Sequence, residues 1–234
     1  MGELKQARTW KVPVGAEHVS AAWDPPSDGS LRAVFVCAHG AGGQMNDRSI
    51  LAVTKALRAH GIGTVRFNFL YRERRSGRPD PMPKLLDCWR AVVGHVREEL
   101  GAADASGPML IVGGRSMGGR AGSVLVSEGE PCDGLLLLAY PLHPPGQKTK
   151  LRVEHLPRIS VPVLCINGTR DPFCDRLLME QTLATLGRNW EMFWLEGADH
   201  SFHVLKSSGR TEAQILEEVA AASDEWITRV REQP

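Results

Sequence analysis

Four consecutive apolar residues, Met109-Leu110-Ile111-Val112, run straight into Gly113-Gly114-Arg115-Ser116-Met117-Gly118-Gly119, and few architectures accommodate that join. The run is too short for a helix and has no polar alternation, so it reads as a strand covered on both faces. The stretch from Met117 to Ser127 holds small and apolar residues and predicts a helix packed closely on the same sheet. Between them, Gly114-Arg115-Ser116-Met117-Gly118 fits G-x-S-x-G, a sharp strand-to-helix turn that presents a serine. So tight a turn strains the serine backbone, and side chains two residues either side would collide. The pattern alone is a weak signal. Its meaning depends on what the rest of the chain supplies.

The same punctuation recurs along the chain. Thr9 to Val14 and His18 to Trp23 predict an opening antiparallel hairpin around Gly15, and Pro25 to Gly29 a loop. Ala33 to Ala38 is a second buried strand, ending in His39-Gly40-Ala41-Gly42-Gly43. Asn46 or Asp47 caps a helix carrying Ile50, Leu51, Ala56 and Leu57, which Gly61 closes before the strand Ile62 to Phe67. Phe69 to Pro81 reads as irregular. Leu85, Leu86, Trp89, Val92, Val93, Val96 and Leu100 then keep helical spacing, with Pro83 in the first turn. Leu135 to Ala139, Val161 to Ile166 and Glu191 to Leu195 are further strands. Leu177, Leu178 and Leu186 mark a helix, and Thr211 with Gln214 forms a capping box for a terminal one. Strand-helix alternation without a composition break predicts one α/β domain over residues 1–234, a doubly wound, mostly parallel sheet with helices on both faces. Ligands of such sheets bind at the carboxyl ends of the strands. Only Tyr140 to Ser160 is available as an insertion, too short and proline-rich for a folded cap, so an open cleft is expected.

Composition narrows the partners. A formal net charge of +1 gives no reason to expect nucleic acid or an anionic membrane surface. The densest basic run, Arg72 to Arg78, reads as a solvated loop. Five cysteines lack framework spacing, the opening Met1 to Gln6 lacks an apolar signal region, and no apolar stretch reaches the length of a membrane span. A reduced, cytoplasmic protein is expected, as a monomer or homodimer.

A serine hydroxyl becomes a nucleophile when a base takes its proton, and the base needs an acid to orient it. In this architecture the partners follow the serine as acid and then histidine, each in a loop after a later strand. Asn167-Gly168-Thr169-Arg170-Asp171 and Glu196-Gly197-Ala198-Asp199-His200 supply them in that order, giving Ser116, Asp171 and His200 as the triad. Asp175 and His203 are the competing candidates. The amides of Met117, at a helix N-terminus, and Ala41, in the glycine loop, are placed to receive a tetrahedral oxyanion. Arg115 and Arg120 flank the serine and offer a clamp for a substrate carboxylate, while Asn46 and His143 lie in loops expected to rim the cleft. His200, His203 and Asp199 lack a further ligand cluster, so no metal and no cofactor is expected.

With these residues in place, the chain resembles the α/β-hydrolase superfamily over nearly its whole length. More narrowly, it is similar to a small cytosolic group typified by testis-expressed protein thirty and by the hydrolase-like domain of a chromatin-complex (NSL) subunit. The motifs that carry the likeness are His39 to Asn46, Arg66-Phe67-Asn68-Phe69, Gly114 to Arg120, Tyr140-Pro141-Leu142-His143 and Asp199-His200-Ser201. Dienelactone hydrolases are more distant and carry a cysteine nucleophile where this chain has Ser116. The resemblance implies the triad fold but no substrate. The expectation is a cofactor-independent serine hydrolase of a small carboxylic ester. A catalytically silent interaction module, and acyl transfer or peptide hydrolysis by the same residues, are the alternatives.

Overall fold

The computed structural model describes residues 7–102 and 107–232, so the expectation for Met1 to Gln6 lies outside the described residues. The chain enters through β1 (Arg8–Val14) and β2 (Glu17–Asp24), which pair antiparallel. It continues through β3 (Ala33–Ala38), α1 (Arg48–Ala59), β4 (Ile62–Phe67), α2 (Leu70–Glu73) and α3 (Met82–Leu100). The second half runs β5 (Met109–Arg115), α4 (Met117–Ser127), β6 (Gly134–Leu138), β7 (Val163–Gly168), α5 (Arg176–Leu183), β8 (Trp190–Leu195) and α6 (Glu212–Glu232). The strands form one eight-stranded sheet in the order β1-β2-β4-β3-β5-β6-β7-β8. From β4 to β8 every neighbouring pair is parallel. This is the doubly wound α/β-hydrolase architecture.

The two faces of the sheet hold two cores, and the alternation along each strand sorts residues between them. In β3, Val34, Val36 and Ala38 point to one core, which takes in α3 and α4 through Trp89, Val92, Val96, Ala121 and Leu125. Ala33, Phe35 and Cys37 point to the other, formed with α1 and α6 through Ile50, Val53, Ile215, Val219 and Trp226. Burial on both faces is why these strands read as unbroken apolar runs. The winding reverses at β3: the chain proceeds to β4 on one side, then returns to β5 on the other. A crevice at such a reversal, beyond the strand ends, is the usual ligand site. Here it lies between the loop after β3 and the turn after β5, with Ala38 paired to Gly114 at the last rung.

Local departures from the expectations have physical reasons. Leu70–Glu73 forms a single helical turn inside the stretch expected to be irregular, with Leu70 and Tyr71 buried. Tertiary burial stabilises a turn too short to show any periodicity. Asp47 does stand at the N-cap of α1, but its carboxylate turns back to accept from the Gln44 amide at 2.8 Å. The capping box of α6 forms as expected: Thr211 N–H donates to Gln214 Oε1 at 2.8 Å and Gln214 N–H to Thr211 Oγ1 at 3.3 Å. The long connection after β6 carries only the short turn Leu156–Arg158, and no cap domain among the described residues covers the sheet end. No helix among the described residues is long and apolar enough to cross a membrane.

Candidate active site

The turn between β5 and α4 is as tight as its glycines imply. Ser116 adopts φ 52° and ψ −119°, left-handed backbone that a non-glycine residue reaches only at a cost of order 1–3 kcal/mol. The strain is held by neighbours on both sides. Ser116 N–H donates to the Leu138 carbonyl at 2.9 Å, and the Ser116 carbonyl accepts the first helical bond, from Arg120 N–H, at 2.9 Å. A Cβ at Gly118 would stand 2.5 Å from the His39 carbonyl oxygen, and one at Gly114 would overlap the Ala38 carbonyl. Both obstacles are backbone atoms and cannot swing aside, so the G-x-S-x-G spacing is a packing requirement at these two positions.

The hydroxyl presented this way meets an imidazole. His200 Nε2 lies 2.9 Å from Ser116 Oγ, and His200 Nδ1 lies 2.8 Å from Asp171 Oδ2. The Asp171 carboxylate is fully buried, while the His200 side chain stays about 20 % exposed. Its second oxygen accepts the Phe173 amide at 2.8 Å, and Asn167 Nδ2 donates to Oδ2 at 3.2 Å. A buried carboxylate with this many donors is fixed in direction. Asn167 also ties the strand ends together, donating to the Tyr140 carbonyl and accepting from its amide, each at 3.0 Å. The Phe173 ring lies 4.3 Å from the imidazole and covers one side of it. Sequence reasoning did not single out Asn167 or Phe173, because nothing in a sequence reveals which loop residues brace an acid.

Asp175 and His203, the competing candidates, are occupied elsewhere. Asp175 caps α5 by accepting from Leu178 N–H at 3.2 Å and pairs with Lys148 at 2.5 Å. His203 is solvent-exposed, 4.0 Å from Asp199. Asp199 itself shapes the loop, its Oδ1 accepting from the Ser201 and His203 amides at 2.8 and 3.0 Å.

The loop after β3 runs against the serine: a Cβ on Gly40 would touch Ser116 Cβ at 3.4 Å, and Ala41 follows directly. Met117 opens α4, so its amide is among the first-turn N–H groups that have no carbonyl within the helix. His39 steadies the loop from below. Burial holds it neutral, lowering its pKa, with Nδ1 against the Gly40 carbonyl at 2.8 Å and the Phe69 amide donating to Nε2 at 3.4 Å. Arg66 reaches up from β4 to the Met45 carbonyl at 2.8 Å and to Asn46 Oδ1 at 2.7 Å, while Asp24 holds it at 2.7 Å. The exposed Asn46 is thus tied through its oxygen to a loop strut.

The expectation of His143 at the cleft rim and that of Arg115 as a clamp beside the serine need correction. His143 is buried, its Nδ1–H donating to the Pro144 carbonyl at 2.9 Å and its Nε2 accepting the Asp175 amide at 3.1 Å. Both ring nitrogens are used, so it pins the connection after β6 onto the start of α5 and has nothing left for a substrate. Arg115 turns away from the serine. It donates to Ser49 Oγ at 2.9 Å and to the His200 carbonyl at 2.6 Å, bracing the histidine loop against α1. Arg120 lies within electrostatic reach of Tyr140, Arg152 and His155, its Nε buried without a partner.

Comparison with known proteins agrees with the fold. Residues 31–228 match the model of the family described as alpha/beta hydrolase domain. A serine hydrolase homologue from Coxiella burnetii superposes with a TM-score of 0.72 at 19 % identity, over 92 % of this chain and 96 % of that one. Dienelactone hydrolase from Anabaena variabilis gives 0.73 at 21 %, covering 96 % and 97 %. A serine hydrolase without lid from Xanthomonas campestris gives 0.70 at 22 %, covering 96 % and 94 %. At these identities the likeness is one of fold.

Proposed function

We propose that this chain, which belongs to the alpha/beta hydrolase domain family, is a cofactor-independent serine hydrolase of small carboxylic esters. The observation that carries the reading is the unbroken chain Ser116 Oγ–His200–Asp171, with contacts of 2.9 and 2.8 Å, on a serine held at φ 52°. Asp171 accepts a hydrogen bond from the Nδ1–H of His200, which leaves the Nε2 lone pair facing the hydroxyl. Ser116 Oγ attacks the ester carbonyl as its proton passes to Nε2, and the carbonyl π pair moves onto oxygen. The amides of Ala41 and Met117 receive that oxyanion. The C–O bond to the alcohol then breaks, His200 returns the proton to the leaving oxygen, and water hydrolyses the acyl-enzyme by the same steps. Losing one oxyanion donor costs about 2.7–4 kcal/mol of barrier in other enzymes.

Within the family, the quoted motifs support a place beside the testis-expressed thirty group. Five free cysteines, four of them buried, support a reducing, cytoplasmic setting. The test is a fluorophosphonate probe and a panel of nitrophenyl esters against wild type and Ser116→Ala. Labelling is expected to vanish in the variant and hydrolysis to fall roughly 10³-fold or more. Persistent labelling of the variant would put the nucleophile elsewhere, and absence of labelling in wild type would favour a silent module.

A further inference from the structure

A cavity of about 430 Å³ opens between α1, the start of α6 and the loop that carries His200. None of Ser116, His200 and Asp171 is among its walls. Val53, Leu138, Phe202 and Leu216 line it with hydrocarbon, and Arg115 contributes a guanidinium. Its volume lies within the roughly 300–1,000 Å³ of small-molecule sites.

Arg115 is the unusual part of this wall. A guanidinium has five N–H donors, and its two hydrogen bonds, to Ser49 Oγ at 2.9 Å and the His200 carbonyl at 2.6 Å, are both to neutral acceptors, while its carbon lies 6.0 Å from the centre of the Phe202 ring. No carboxylate among the described residues forms an ion pair with it. The two acids at the cavity mouth are engaged: Glu212 pairs with Arg48 at 3.2 Å, and Asp47 takes the Gln44 amide at 2.8 Å. Burial works against the Arg115 charge, with Asp171, Asp199 and, more weakly, Asp47 on the cavity wall opposing that effect without contact. A half-buried cation with spare donors, at one end of a hydrocarbon-lined cavity, matches the planar fork of a carboxylate joined to an apolar body.

We propose that this cavity binds a short aliphatic monocarboxylate, its carboxylate on Arg115 and its chain against Phe202, Val53 and Leu216. The same guanidinium holds the His200 carbonyl, so an occupant fixes the brace of the histidine loop without entering the ester cleft. Binding requires no chemistry at Ser116; only its consequence for turnover rests on the hydrolase reading.

The probe is hexanoate, titrated calorimetrically into wild type and into Ser116→Ala. Equal affinity is expected in both, and hexan-1-ol should bind far more weakly. Arg115→Gln should weaken hexanoate roughly tenfold or more, the loss of a charge-assisted contact. Ala52→Phe and Leu216→Phe fill the cavity and leave Arg115 in place; both should remove binding, and they decide the matter if Arg115→Gln does not fold. Undetectable hexanoate binding to wild type would overturn the proposal. So would binding that survives both cavity-filling variants, that hexan-1-ol matches, or that a phosphonate on Ser116 blocks.

Discussion

Helix α4 carries two serine–histidine pairs, and they are built for different ends. At its N-terminus Ser116 lies 2.9 Å from His200; two turns on, Ser123 lies 2.7 Å from His155. The distances scarcely differ. What differs is everything around them. His200 has a buried carboxylate on its far nitrogen, whereas the charges near His155 are chiefly cationic, from Arg120 and Arg158. Ser116 sits at a strained turn facing the crevice, while Ser123 is mid-helix and fully buried. The direction of the hydrogen bond differs as well. Ser123 Oγ donates its one hydrogen to the Arg120 carbonyl at 2.8 Å, so its oxygen accepts from the imidazole and does not donate to it. A short Ser–His contact therefore says little about nucleophilicity; the acid behind the histidine, and access to substrate, separate an activated hydroxyl from a structural one.

Removing the acid would make the first pair resemble the second. Asp171→Asn keeps the shape, but its amide no longer holds the Nδ1–H tautomer of His200, so Nε2 presents a hydrogen where a lone pair is needed. The turnover number on the best nitrophenyl ester should fall by about 10³–10⁴, as for the same change in other triads. A loss smaller than about tenfold would mean that Asp171 is not the orienting acid. The fold should survive, because Asn can still accept from the Phe173 amide; near-native circular dichroism of the variant checks this.

What the sequence made legible follows from where the physics was local. Ala33–Ala38, Ile62–Phe67 and Met117–Ser127 have the bounds expected of them, since double-sided burial and glycine punctuation are written into consecutive residues. The order of Ser116, Asp171 and His200 was legible because each follows its own apolar strand. The direction of a side chain at a loop was not. His143 was expected at the cleft rim and Arg115 as a carboxylate clamp beside the serine, yet one is sealed against α5 and the other faces α1. Nothing in their neighbours along the chain encodes that choice, which depends on how the connection after β6 and helix α1 pack in three dimensions. The Ser123–His155 contact is likewise invisible in sequence, because thirty-two positions separate its members.

The second pair can be separated from the first by pH. His155 is held neutral in the fold, its pKa pushed down to about 4 from 6.5, first by burial and then by Arg120 and Arg158. In the unfolded chain it titrates normally. The folded state thus binds the proton less well, so its stability is complete above pH 6.5 and is lost as the pH falls toward 4. The whole effect is on the order of 3 kcal/mol. His155→Gln removes the titrating group and keeps a hydrogen-bonding end. Chemical unfolding of both proteins between pH 7 and 4 should give a shallower decline in the variant, and parallel declines would rule out a neutral buried His155.

The smallest effect is expected where the resemblance between the pairs is most misleading. Ser123→Ala deletes a hydroxyl that contacts both the Arg120 carbonyl and His155, and it leaves Ser116, His200 and Asp171 untouched. The Arg120 carbonyl is at helix depth and Ala is a good helix former, so the backbone loses little. His155 loses its partner for Nε2, a buried group left unsatisfied, which costs about 1–3 kcal/mol less whatever relaxation of the connection after β6 recovers. Unfolding free energy should drop by roughly 1 kcal/mol, while ester turnover and probe labelling stay within about twofold of wild type. The two readouts pull apart only if the second pair is structural. A loss of turnover by Ser123→Ala comparable with that of Ser116→Ala, in a variant that still folds, would show that the comparison has been drawn the wrong way round and that α4 presents its reactive serine from the buried side.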